Sequence, residues 1–101
     1  MSAAFAAVVD ALTAEHGVAR GRMFGAEGLK AGGQVFAMEV KGRLVVKLSA
    51  ARAAALRDAG LAVAFDPGHG RLMKQWVSVA PDAGVGWEEL AREAFAFVRG
   101  R

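Results

Sequence analysis

The chain has 101 residues, 54% of them hydrophobic and 23% charged, and 13 Lys plus Arg against 10 Asp plus Glu leave a net charge of +3. That length holds one core, so a single domain over residues 1–101 is expected, and the apolar share excludes intrinsic disorder. With no Cys, a disulfide scaffold, thiol catalysis and Cys-ligated zinc or iron–sulfur sites are excluded.

A sequence pI near 10.0 points to nucleic acid only where the cations cluster, and here they are interleaved with Asp and Glu. The N-terminus carries no Lys or Arg before its apolar stretch, which Asp10 interrupts. It therefore does not read as a secretory leader. No run approaches the ~20 apolar residues of a membrane span, and a cytoplasmic protein is expected.

Residues 3–16 read as a helix, with Phe5, Val8, Val9 and Leu12 on one stripe, Ser2 as N-cap and Gly17 as the stop. Residues 18–33 hold one or two short strands, punctuated by Gly25, Gly28, Gly32 and Gly33. Gln34–Val40 and Arg43–Leu48, joined across Lys41-Gly42, read as a hairpin. Alternation puts Phe36, Met38 and Val40 on one face of the first strand. On the second it puts Leu44, Val46 and Leu48 on one face and Arg43, Val45 and Lys47 on the other.

Ser49 caps a second helix over 50–59, with Arg52, Leu56 and Ala59 on or near its stripe and Gly60 as its stop. Leu61–Phe65 reads as a strand, Asp66–Gly70 as a turn, and Lys74–Val79 as a further strand ended by Pro81. In that strand Trp76 and Ser78 face away from Val77 and Val79. A last helix runs from about Trp87 to Arg99, with Trp87, Leu90, Ala91, Ala94, Phe97 and Val98 on its stripe. Phe95 and Phe97 point to different sides, so they either widen one core stripe or leave one ring exposed as a dimer or partner surface. The expected fold is α+β: a two-layer sandwich of three helices on a largely antiparallel sheet of about five strands, in the order α-β-β-β-α-β-β-α.

A set of residues in fixed order carries a family resemblance. It comprises Arg22-Met23-Phe24-Gly25, Gly28-Leu29, Val35-Phe36-Ala37, Gly42-Arg43-Leu44-Val45-Val46-Lys47, Ala59-Gly60-Leu61, Phe65, Met73, Trp76 and Pro81. Over about residues 18–99 it resembles the N-terminal domain of the TfoX (Sxy) family of bacterial competence regulators. Three positions depart from the pattern: Ala26 where a second Gly is common, Lys30 where an aromatic is common, and Trp76 where Tyr is frequent. The resemblance implies a two-layer fold similar to YjbR-like and secretion-chaperone-like proteins. It also implies a role related to transcriptional activation of DNA-uptake genes, alongside the cyclic-AMP receptor protein. The regulators carry a second, C-terminal domain, and with the sequence ending at Arg101 a stand-alone N-terminal domain is expected. The family supplies no catalytic residues. Met23, Phe24, Gly25, Gly28, Gly60, Phe65 and Pro81 read as structural members of its motif.

The chemistry-bearing residues are few. Ser2, Ser49, Ser78 and Thr13, with His16 and His69 as bases, form no nucleophile signature. His16 beside Glu15 and His69 beside Asp66 fall short of a metal ligand set. Gly25-x-x-Gly28 follows a strand rather than joining two helices, so it is not a KH-type clamp, and no dinucleotide or phosphate loop is present. No enzyme activity, metal or cofactor is expected.

The strongest lead is basic and aromatic: Arg22, Arg43, Lys47, Arg71 and Lys74, with Trp76. Converging on one surface, these would contact a partner, or bind phosphates and stack a base. Three readings follow. The leading one is a regulatory or protein-interaction domain, a homodimer among its forms. The second is a nucleic-acid-binding domain using a basic sheet face. The third, small-ligand binding, would need a deep pocket.

Overall fold

The computed structural model describes residues 1–23, 25–67 and 73–100. The elements in chain order are α1 (Ala3–His16), β1 (Ala19–Met23), β2 (Ala26–Ala31), β3 (Gln34–Val40), β4 (Arg43–Lys47), α2 (Ala50–Asp58), β5 (Val63–Phe65), β6 (Met73–Val79) and α3 (Trp87–Arg99). The sheet has six strands in the order β1-β2-β3-β4-β6-β5, and every neighbouring pair is antiparallel. Residues 18–33 supply two full strands, one more than the expected order allowed. The α+β two-layer architecture is as expected.

Local chemistry sets the helix ends. Ser2 Oγ accepts from the Phe5 amide at 3.1 Å and Ser49 Oγ from the Arg52 amide at 3.1 Å, each capping an orphan donor. After α2, the Gly60 amide donates to the Arg57 carbonyl and the Leu61 amide to the Leu56 carbonyl. This is a Schellman stop, and it needs the left-handed φ of 74° at Gly60. The β3–β4 hairpin turns through Lys41 (φ 54°) and Gly42 (φ 75°), the two positive angles of a type I′ turn.

All three helices cover one face. Phe5, Val8 and Leu12 of α1, Ala53 and Leu56 of α2, and Leu90, Ala94 and Phe95 of α3 form one core with Leu29, Phe36, Ala37, Leu44, Val46, Val77 and Val79 of the sheet. The α2 stripe is Ala53 and Leu56. Arg52 instead lies exposed and forms a two-pronged pair with Glu93 at 2.9 and 3.2 Å, so it is not part of that stripe. On α3 the buried aromatic is Phe95. Its ring meets Phe36 edge-on with centroids 5.6 Å apart, while Phe97 is only partly buried.

One expectation fails in β3. Phe36 does not share a face with Met38 and Val40. Leu29 of β2 pairs with Ala37, but Lys30 pairs with Val35, so Phe36 is an extra residue opposite the β2 ladder. This bulge turns Phe36 and Ala37 both toward the helices. Met38 and Val40 fall on the other face with Val45. Gly28 lies opposite Met38, and a Cβ there would come 2.6 Å from the Ala37 carbonyl oxygen, so the close approach of β2 and β3 requires glycine.

The helix layer is held on its outer surface by ion pairs. Glu15, near the end of α1, takes two hydrogen bonds from Arg92 of α3, at 2.8 and 2.7 Å. His16 stacks on Phe95 with centroids 4.1 Å apart, and the Arg99 guanidinium lies 5.4 Å from the same ring. The hydrogen bond from Arg92, with its charge, holds the Glu15 carboxyl below its ordinary 4.5 against desolvation, and the same pair raises Arg92.

Two predictions follow from these contacts. Phe36→Ala removes a fully buried ring and should cost about 3–5 kcal/mol in urea unfolding. A carboxyl lowered on folding stabilises above its unfolded-state pKa, and this contribution is lost as pH falls through the folded value. The Glu15 contribution should therefore fade below about pH 4.5. Carbon-detected NMR should place its midpoint under the ordinary value, and Arg92→Ala should return it there.

Candidate functional site

The face without helices is not bare. Met38, Val45, Phe65 and Trp76 are buried on it, with Met23, Ala26, Val35, Val40 and Met73 packed around them. This second cluster contains no helix residue. It is built wholly by strand alternation once the β3 bulge has set the phase, and it includes the motif residues Met23 and Phe65.

Register places charge on this face selectively. Lys30 pairs with Val35, Arg43 with Val40 and Lys47 with Trp76, so all three cations lie on the helix-free side. The two acidic residues of the strands lie on the other. Glu27 pairs with Arg22 and Glu39 with Leu44, both in phase with core residues of the helix side. Glu39 Oε1 accepts from the Ser2 amide at 3.0 Å, so this carboxylate sits under the positive end of α1. The side chain of Lys30 lies over Gly21, where a Cβ would overlap it.

Of the predicted contact residues, Arg43, Lys47 and Trp76 share the helix-free face. Lys74 is exposed on β6, within the stretch where the β5–β6 register shifts. Arg22 does not join them. It lies on the edge strand β1, on the helix side, and donates to the Gly25 carbonyl at 3.1 Å. Arg71 lies outside the described residues, as do Phe24 and His69. Trp76 is only 4% exposed, so its ring is a packing element of the face, with no surface offered for stacking.

Two features of this face were missed from sequence. One is Lys30, whose side follows from alternation with Leu29, the β2 residue buried in the helix-side core. The other is Ser78, at 7% exposure the one buried polar residue among those described. Its Oγ accepts from Arg43 Nε at 2.7 Å and its carbonyl from Arg43 Nη2 at 3.3 Å. The i/i+2 spacing of Trp76 and Ser78 placed the serine on this side, but not its pairing with a residue 35 positions away. Of the other motif positions, Gly25 holds a φ of 76° in the β1–β2 turn, and Pro81 follows β6 beside Trp87, whose Nε1 donates to the Ala80 carbonyl at 3.1 Å.

The family model described as the TfoX N-terminal domain matches residues 10–97. The chain belongs to the TfoX N-terminal domain family. No curated protein and no solved structure matches it significantly. The match spans all six strands, α2, the second half of α1 and most of α3, so the two-sided sheet lies wholly within the family pattern. Among the described residues, no group of three or more His, Asp and Glu side chains stands where a metal could bind. No helix is long and apolar enough to cross a membrane.

The burial of Trp76 is directly measurable. In Trp87→Phe, Trp76 is the only tryptophan. Its emission should be blue-shifted and poorly quenched by iodide, and random-sequence duplex DNA should leave both unchanged. Strong quenching would show an exposed ring.

Proposed function

We propose that this TfoX N-terminal domain is a non-enzymatic, cytoplasmic regulatory module that acts by binding a partner protein. We assign the binding surface to the helix-free sheet face, and the partner chemistry to an acidic segment interspersed with apolar residues. One observation carries the reading: three strand cations, Lys30, Arg43 and Lys47, share a face with a second apolar cluster, while both strand carboxylates are turned to the helix side. Charge complementarity then selects an acidic partner.

The state of the hydroxyl groups supports a non-enzymatic role. Ser2 and Ser49 are committed as caps and Ser78 to Arg43, and His16 is stacked on Phe95. A place in transcriptional control of DNA uptake, as the family resemblance implies, is compatible with a module that works through protein contacts. Nucleic-acid binding is the second reading. The cations of this face favour it, but it loses the stacking aromatic to burial and Arg22 to the opposite side.

Selection from a random peptide library tests the reading. The wild-type domain should enrich Asp and Glu alternating with apolar residues, and the Lys30→Glu/Lys47→Glu variant should lose that enrichment. If the domain instead enriches no acidic sequence and binds duplex DNA with an affinity that falls steeply with salt, the protein-binding reading is wrong.

A further inference from the structure

We propose that a notch at the β5 edge of the helix-free face, built on Arg43 and Ser78, is a carboxylate clamp that takes one Asp or Glu side chain of the partner segment. The proposal rests on the partner-binding reading above and assigns its anchoring point.

The argument begins with the cost of Ser78. A hydroxyl on an inner strand, between Val45 on one side and Val63 on the other, destabilises the fold unless it is hydrogen-bonded. Ser78 offsets that cost by holding Arg43, through Nε to its Oγ and Nη2 to its carbonyl. Both bonds lie along one edge of the guanidinium. They fix its plane and leave the Nη1/Nη2 end directed away from Ser78. No described carboxylate forms an ion pair with Arg43, whereas Arg20, Arg52 and Arg92 each have one. An immobilised guanidinium with an open fork is preorganised for a planar carboxylate.

The surroundings define the ligand. Arg43 and Ser78 line a notch of about 180 Å³ with Lys41, Val63, Phe65 and Asp66. Lys41 stands at the hairpin tip with a φ of 54°, the only positive φ on a non-glycine residue among those described. Type I′ turns usually place Asn, Asp or Gly there, so the backbone accepts strain at this position and presents a cation beside Arg43. Among the described residues the lining holds two cations, Arg43 and Lys41, and one carboxylate, Asp66, a set that suits a monoanion better than a phosphate. The volume is below the ~300 Å³ at which small-molecule pockets begin, which suits a single side chain. Val63, 55% exposed on the edge strand β5, provides an apolar wall for the residue next to the acid.

The test uses two blocked tripeptides, Ac-Val-Glu-Val-NH2 and Ac-Val-Gln-Val-NH2, with inorganic phosphate as a third probe. The readouts are the Arg43 Nε–H, Ser78 amide and Val63 amide resonances of the intact domain. The glutamate peptide should shift all three in a saturable way, and the glutamine peptide should bind about tenfold more weakly, the difference one charge-assisted hydrogen bond makes. Arg43→Lys keeps the charge and loses the fork. Ser78→Ala keeps the charge and loses the orientation. Each should weaken the glutamate peptide by a similar factor, while Lys74→Gln should not. Equal binding of both peptides, or phosphate binding as tight as glutamate, overturns the clamp. Shifts confined to Lys30, Val35 and Lys47 overturn the clamp and leave the helix-free face as the partner surface. No shift at either place overturns both.

Discussion

One extra residue in β3 decides how this sheet is used. Without the bulge, strict alternation would put Phe36 with Met38 and Val40, and the core beneath α3 would lose its central aromatic. With it, Phe36 and Ala37 both face the helices, Phe36 meets Phe95 edge-on, and every residue of β3 after the bulge is shifted in phase. Met38 and Val40 then pair across to Val45 and Arg43. The second cluster and the position of the strand cations relative to it both depend on that one irregularity, because a single-residue change of phase exchanges the two faces of a strand.

The bulge also explains why the fold was more legible than the site. The helices were readable because their signals are local: Ser2 and Gly17 bracket α1, and Ser49 and Gly60 bracket α2. The two faces of β4 were readable because Leu44, Val46 and Val45 alternate without interruption. The face of Phe36 was not, since nothing in Gln34–Val40 shows that β2 across the ladder is one residue short. The strand Ala19–Met23 is obscured in the sequence because its burial is low, being an edge strand with little apolar content. The six side chains proposed as contacts are therefore only partly brought together: register puts Arg22 on the other side of the sheet from Arg43 and Lys47.

Trp76 shows how burial alters a functional reading. Near Arg71 and Lys74 in sequence, it looks like a stacking platform. On the sheet it sits opposite Lys47 and is covered by neighbours of the second cluster. A base needs an open π-face, whereas a packed indole stiffens the strands that carry Arg43 and Lys47. A face of held cations and apolar rims without an open ring suits the proposed acidic protein segment better than a single-stranded nucleic acid.

The distribution of ion pairs completes that asymmetry. The helix layer mixes its charges: Glu15 and Glu88 pair with Arg92, and Glu93 with Arg52. Exposed pairs of this kind contribute little to stability, but each cation in them stands beside a carboxylate. At the β1 edge, Arg20 is likewise matched by Glu27. The strands carry no acidic residue on the helix-free side, where Asp66, just beyond β5, is the nearby carboxylate. Among the described residues, Lys30, Arg43 and Lys47 instead lie on a face whose strands carry no carboxylate. For the acidic partner proposed above, that arrangement would set orientation as well as attraction, because the same side of the sheet carries the exposed Val63 at its edge.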